Sequence, residues 1–394
     1  MNIPQGYKQT ELGIIPEDWE VVNLGSVAKV NGRIGFRGYT VADLVGAGQG
    51  AYTIGGKHIA NMIIDLSDAE YISWEKYYES PEIMVKRGDI VLAQRGSLGK
   101  SAIVLNDIGP ATINPSLVLI NNIKCSNEYL AYWLQSDRIV QYICSINSQT
   151  SIPMITQAQI EQIPINIPSS LAEQRAIAEA LSDVDELIAA LDKKIAKKRL
   201  LKQGAMCKLL SLSGRGKKWF NTKLGNVVNI RKGSMLTSDR FVAGNIPVIA
   251  GGKIPAGYHN VANRPANTIT ISASGASAGY VALYNKPIFA TDCSTIEPCS
   301  TYDIHYIYHL LKYYQSEIFA MQTGGAQPHV HPSDLNELQI LYAKDIEEQQ
   351  AIATILSDMD KEIADLEAQR DKYRLLKSGM MQKLLTGQIR LKTK

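Results

Sequence analysis

From Ile177 the apolar positions recur at Leu181, Val184, Ile188, Leu191 and Ile195, an alternation of four and three that lines one stripe of a helix. The same stripe returns at Ile352, Leu356, Met359, Ile363 and Leu366. Beyond Ile195 it moves to Leu201, Met206 and Leu209, near Gly204; in the second stretch it moves to Leu376, Met381 and Leu384, near Gly379. A register change or a short break is expected at both places. Elsewhere the period shortens to two. Residues 89–93, 116–120, 268–272 and 338–341 alternate or run apolar between Gly, Pro and Asn, and predict short strands. Each half of the chain thus reads as a mixed helix-and-strand globule followed by a long helix.

The two helical stretches are copies. Glu173 to Asp185 matches Glu348 to Asp360 at a constant offset of 175 without a gap, and the match continues through Arg199-Leu-Leu-Lys202 against Arg374-Leu-Leu-Lys377. Roughly 22 of 38 positions are identical, beyond what two unrelated helices rich in Leu, Ala, Lys and Glu share. Fainter matches precede them in the same order. Trp19 with Leu24-Gly25 recurs as Trp219 with Leu224-Gly225, and Gly55-Gly56-Lys57 as Gly251-Gly252-Lys253. Gly96-Ser97-Leu98-Gly99 resembles 275–279, and Tyr129-Leu130 resembles Tyr306-Ile307. A single amphipathic stripe ordinarily seats a helix on its own domain. Two matched copies shift the expectation toward pairing with each other, with the eleven residues from Ile177 to Ile195 and from Ile352 to Leu366 as the seam. The expected division is a first globule at 1–170, a helix at 171–212, a second globule at 213–346 and a helix at 347–394. Gly214-Arg-Gly-Lys-Lys218 forms a flexible basic joint between the halves.

Composition narrows the class. The 394 residues are 45% hydrophobic and 20% charged, as in ordinary globular chains. Five cysteines without a CxxC pair suggest neither a disulfide framework nor a zinc ribbon, and fit a reducing cytoplasm. The N-terminus has no leader pattern and no stretch is apolar enough to span a membrane. Net charge is only +3, but it is uneven: −4 over residues 1–170 and +4 over 214–346.

The order globule, helix, globule, helix, together with Ile15-Pro-Glu-Asp-Trp19, Gly88-Asp89-Ile90, Pro164-Ile-Asn-Ile-Pro168 and the duplicated Leu171-Ala-Glu-Gln-Arg-Ala-Ile177 and Ile346-Glu-Glu-Gln-Gln-Ala-Ile352, resembles the specificity subunits of type I restriction-modification systems over essentially the whole chain. The second copy departs by carrying Tyr342-Ala343-Lys344 where the first has Ile167-Pro168. The resemblance implies an α+β fold: two mixed target-recognition domains, two long antiparallel coiled-coil helices and an internal pseudo-two-fold. It implies a non-catalytic subunit that reads a bipartite, asymmetric double-stranded DNA target. Its implied partners are two methyltransferase subunits, with a restriction-translocase subunit able to join them. The helices would then act as a ruler, and about seven residues inserted near Ile188 would add ~10 Å and widen the target gap by about three base pairs.

Catalytic patterns are absent from the sequence. Gly99-Lys100-Ser101 suggests a phosphate loop, but Gln94 stands where Gly-x4-Gly-Lys-Ser needs glycine. No Asn-Pro-Pro-Tyr or Asp-Pro-Pro-Tyr segment is present to cradle a flipped base, and no Gly-x-Gly-x-x-Gly loop to hold a cofactor. His305 with His309, and His329 with His331, lack the companions of a metal site, and Cys293 and Cys299 lack those of a nucleophile. No cofactor and no metal is expected. Direct readout of DNA needs polar side chains on close-approaching loops. The Gly-rich segments that correspond between the halves offer Arg33, Arg37, Lys57, His58, Arg95, Ser97 and Lys100 in the first, and Arg231, Lys232, Lys253, His259, Ser274, Ser277, Gln327 and His329 in the second. The competing readings are a protein-only bivalent scaffold, which sequence-selective and salt-dependent binding excludes, and an ATPase at 96–101, which a nucleotide titration tests.

Overall fold

The computed structural model describes residues 3–60, 62–146, 154–211, 219–325 and 327–391. The joint at 214–218 lies outside them. By internal contacts the chain forms two compact units, Met1–Ala190 with Asp371–Lys394, and Leu191–Arg370.

The first unit contains β1 (Trp19–Asn23), β2 (Lys29–Gly32), β3 (Gly50–Ile54), β4 (Ile90–Ala93), β5 (Ser101–Ile103), β6 (Ala111–Ile113), β7 (Leu117–Asn121), α1 (Asn127–Leu134) and β8 (Pro164–Pro168). One antiparallel sheet has the order β5-β4-β7-β2. A second sheet sets β6 parallel to β3 and continues through Glu70–Ser73 to Leu44–Val45. β8 closes back on β1, pairing Pro168 with Trp19. The residues of β4 are buried on both faces, which is why Ile-Val-Leu-Ala runs continuously apolar instead of alternating.

The second unit repeats this plan with β9 (Trp219–Lys223), β10 (Arg231–Lys232), β11 (Ile246–Ile249), β12 (Thr268–Ser272), β13 (Val281–Tyr284), β14 (Phe289–Ala290), β15 (Cys293–Ile296), α3 (Ile304–Tyr313) and β16 (Gln339–Ala343). Its main sheet runs β13-β12-β15-β10, the same order strand for strand. β14 lies parallel to β11, and β16 closes on β9. All four segments expected to be strands are strands.

Two long helices complete the chain, α2 (Leu171–Leu210) and α4 (Ile346–Leu384). Contrary to the expected break, both run uninterrupted through Gly204 and Gly379. One interior glycine costs about 1 kcal/mol relative to alanine, too little to divide a helix held along both flanks. The shift of the stripe has another cause. Met206, Leu209 and Leu210 turn to the core of the second unit, and Met380, Met381, Leu384 and Leu385 to the core of the first. Leu201 and Leu376, expected on the stripe, are instead 51% and 50% exposed.

The seam itself is shorter than the periodicity implies. In the second unit Leu191, Ile195, Ile363 and Leu366 form a separate apolar cluster between the two helices. Ion pairs flank it, Asp192–Arg370, Lys198–Glu362, Arg199–Glu367 and Lys202–Asp360, whose numbers run in opposite senses, so the helices are antiparallel there. Ile177 and Leu181 belong to the core of the first globule, which they share with Leu384 and Leu385. Ile352, Leu356 and Met359 pack likewise on the second globule. Val184 is buried and Ile188 half-buried. The opening turns of each helix therefore complete a globule, and only the middle of the stripe serves pairing alone.

Candidate nucleic-acid interface

The duplicated Glu-Gln pairs are bolts. Gln174 accepts at Oε1 from the backbone N–H of Ser126, the N-cap of α1, and donates through Nε2 to the Pro168 carbonyl at the end of β8, each at 2.8 Å. Gln349 does the same with the N–H of Asp303, the N-cap of α3, and the Ala343 carbonyl, again at 2.8 Å, and also donates to the Tyr342 hydroxyl. The departure at Tyr342-Ala343-Lys344 thus leaves the turn unchanged, because the bolt uses a carbonyl that any residue supplies. The glutamates hold the repeated tryptophans. Trp19 Nε1 donates to Glu173 and Trp219 Nε1 to Glu348. In the first unit Arg390 adds a fork to Asp18 and Glu173 and lies over the Trp19 ring, which drives the Asp18 pKa down.

A second matched device joins each globule to the helices. Asp185 accepts from the Tyr132 hydroxyl at 2.9 Å and pairs with Lys377 at 2.7 Å, while Lys377 also lies over the Tyr132 ring. In the second unit Asp360 pairs with Lys202, and His309 takes the place of the tyrosine. His309 is buried, with Nε2 3.0 Å from the Ser357 hydroxyl and Nδ1 3.9 Å from Asp360, too far for a hydrogen bond. Burial, with Lys202 and His305 nearby, lowers its pKa to about 3, so it is neutral at neutral pH.

The loops carry the candidate readers. In the first unit Arg95, Ser97 and Lys100 are exposed on the turn between β4 and β5, where Gly96 and Gly99 adopt positive φ. Arg95 borders a recess of about 460 Å³ that Gln94, Pro115, Met154 and Gln157 also line. Neither Gln94 nor Gln157 was among the DNA contacts expected from the sequence. Polar amides at the mouth of a recess have no signature in a single chain.

Two first-unit candidates are buried, although Arg33 also lines the recess beside Arg95. Arg33 is buried and donates to the Ile113 and Arg37 carbonyls and to the Thr112 hydroxyl, with burial lowering its pKa. His58 is buried, accepts at Nδ1 from the Gly55 N–H and sits 3.4 Å from Asp68. Arg37 and Lys57 pair with Glu82 and Asp68. Arg33 and His58 therefore brace the second sheet and its edge.

In the second unit the buried brace is Arg264, bonded to Thr295, Asn263 and Lys232, which the sequence did not flag. Arg231 pairs with Glu297, and Lys232 is exposed. His259 Nδ1 accepts from the Val242 N–H, and its ring meets Phe289 edge-on. Ser274 donates to Asp292, and its backbone bridges His329. His329 stacks on His331, and Gln327 is exposed nearby. Ser274, Ser277, Gln327 and His329 therefore gather at one loop cluster around Gly275 and Gly324, whereas Arg231 and Lys232 lie on the edge strand β10. Lys253 is exposed and lies over the ring of Tyr280, the residue after Gly279. The Cys293 thiol is buried and pushed up to about 12, which leaves it protonated.

A repeated α+β globule with loop-borne polar residues, bolted to long paired helices, defines a duplicated recognition protein. The family described as "Type I restriction modification DNA specificity domain" matches residues 16–198 and 216–373, and the chain belongs to it as a DNA specificity subunit of the type I restriction-modification class. Among its relatives are the putative type I restriction enzyme MjaX specificity subunit of Methanocaldococcus jannaschii, 26% identical with 99% of this chain and 98% of that protein covered, and the MjaVIII specificity subunit of the same organism, 25% identical with 96% and 94% covered. The fold is that of the type I restriction-modification S subunit from M. genitalium, with a TM-score of 0.66 at 19% identity and 98% of each chain covered. No helix among the described residues is long and apolar enough to cross a membrane.

Proposed function

We propose that the chain is a non-catalytic cytoplasmic subunit that reads a bipartite, asymmetric double-stranded DNA sequence and recruits two methyltransferase subunits, with a restriction-translocase subunit able to join them. The target-recognition domains are residues 1–170 and 213–346. The observation that carries this reading is one scaffold present twice with unlike loops. Bolts, clamps and sheet order repeat, while Gln94, Arg95 and Ser97 stand in one loop cluster and Ser274, Gln327 and His329 in the other. Unlike readers on a repeated frame suit a target with two unlike halves.

Exposed residues on the repeated helix segment support the recruitment. Leu200 and Leu201 are 70% and 51% exposed, and Leu375 and Leu376 are 76% and 50% exposed. Four leucines presented to solvent from two identical Arg-Leu-Leu-Lys segments offer two equivalent apolar seats. The direct test is the methylome of cells with and without this chain. The expected result is an interrupted, asymmetric methylated motif that disappears with the chain. A continuous or palindromic motif sinks the bipartite reading. Retained methylation in the deletion strain sinks the function.

A further inference from the structure

Three lysines converge where the second globule meets its helices. Lys253 Nζ lies 5.4 Å and Lys312 Nζ 5.0 Å from the centre of the Tyr280 ring, which places the two ammonium groups within about 10 Å of each other on flexible stems. Burial lowers the Lys312 pKa, and the charges of Lys202 and Lys253 lower it further, while Asp360 acts in the opposite direction. Asp360 neutralises Lys202, but among the described residues neither Lys253 nor Lys312 has a carboxylate at ion-pair distance. The Lys312 ammonium donates to Gln315 at 3.3 Å. Like charges gathered on a half-buried floor repel one another, and an anion relieves that repulsion.

The cluster also has a place in the reading loop. Tyr280 follows the turn that bears Ser274 and Ser277, and Gln315 Nε2 donates to the Gly279 carbonyl at the root of that turn. In the first unit Gln135 donates to the Ser101 carbonyl just past the matching turn, and the exposed Lys100 stands where the second unit has Tyr280. The first unit's counterpart of Lys312 is Gln135, one residue past α1, and its counterpart of Lys253 is Lys57, already paired with Asp68.

We propose that Lys253 and Lys312, backed by Lys202, form a phosphate seat in the second unit that grips a backbone phosphate of the DNA whose bases the adjoining loop reads. The seat rests on the DNA-reading function proposed above and adds an anchor that is independent of sequence.

The test uses the full chain assembled with its methyltransferase, on a duplex bearing the methylated motif and on a scrambled duplex, across a series of salt concentrations. Lys253→Gln and Lys312→Gln are each expected to weaken binding about fivefold on both duplexes and to flatten the salt slope by roughly 0.9, the value for one phosphate contact. The ratio between duplexes should not change. Lys312→Arg should bind as the parent does, which separates lost charge from misfolding. Unchanged affinity and slope in both glutamine variants overturn the seat, as does a loss confined to the motif duplex, which would indicate base reading. Saturable binding of inorganic pyrophosphate, abolished by the variants while DNA affinity stays intact, overturns it in favour of a free anion. If the parent assembly shows no preference for the motif duplex, the DNA-reading function itself fails, a result separable from all of these.

Discussion

The two units share a strand order and a set of fastenings, but they spend their cations differently. In the first, Arg33 and His58 are buried as braces and Arg37 and Lys57 are paired with Glu82 and Asp68, leaving Arg95 and Lys100 on the exposed loop. In the second, one unflagged residue, Arg264, serves as brace, and among the described residues neither Lys253 nor Lys312 has a carboxylate at ion-pair distance. The difference in net charge between the halves, −4 against +4 over residues 1–170 and 214–346, lies in the carboxylates: each stretch has 12 Lys and Arg, but the first has 16 Asp and Glu against 8 in the second. Duplication preserved the parts that fasten the globule and left the exposed parts free to diverge.

The strongest way to break the comparison is at the shared fastenings. Gln174→Leu and Gln349→Leu each leave a buried N–H and carbonyl without partners, so each should destabilise its own unit by about 3 kcal/mol, and by similar amounts. Calorimetry of both variants checks this, and a loss under 1 kcal/mol in either would show that the bolt is replaceable.

Next comes the one place where the fastenings differ, Tyr132 against His309. The folded His309 pKa of about 3 lies below the ordinary value of 6.5, so the unfolded chain binds the extra proton first. Its contribution to stability is full above pH 6.5 and falls as pH drops toward 3, with about 2 kcal/mol lost by pH 5. Unfolding of the second unit, followed by hydrogen exchange between pH 7 and 5, should show this slope, and His309→Tyr should remove it. An equal slope in the variant would place the titration elsewhere.

Smaller effects sharpen the contrast between braces and readers. Arg95→Ala should relax discrimination at one base position by about 1–2 kcal/mol with little change in stability. Arg33→Ala should do the reverse, lowering stability before it touches specificity. Binding to a panel of single-base variants, set beside melting curves, distinguishes the two, and the assignment fails if the effects are exchanged. Least of all, breaking Lys198–Glu362 with Lys198→Ala should cost about 0.5 kcal/mol and less at high salt, because both partners meet solvent.

The repeat was legible because an offset of 175 aligns residues without any knowledge of the fold, and because Glu-Gln is held by backbone groups that both halves possess. The strands were legible from their short apolar runs. The uninterrupted helices were not, since a moving stripe has the same appearance whether a helix breaks or changes the surface it faces. Nor was the direction of the polar candidates. Arg33 and Arg95 have the same chemistry in a sequence, and only the carbonyls of Ile113 and Arg37 around the first decide that it points inward. Lys312 passed unnoticed on an aromatic helix. Its alignment with Gln135 is the signal that would have found it.

The second unit is one continuous stretch, Leu191–Arg370, whereas the first needs Asp371–Lys394 as well. During synthesis the earlier-made globule therefore waits. Its core keeps an open place until Leu384 and Leu385 leave the ribosome, by which time the later-made globule already has every residue it requires. The half that begins first is the last to close, and a chain truncated near its end would spare the later-made globule and leave the earlier one unfinished.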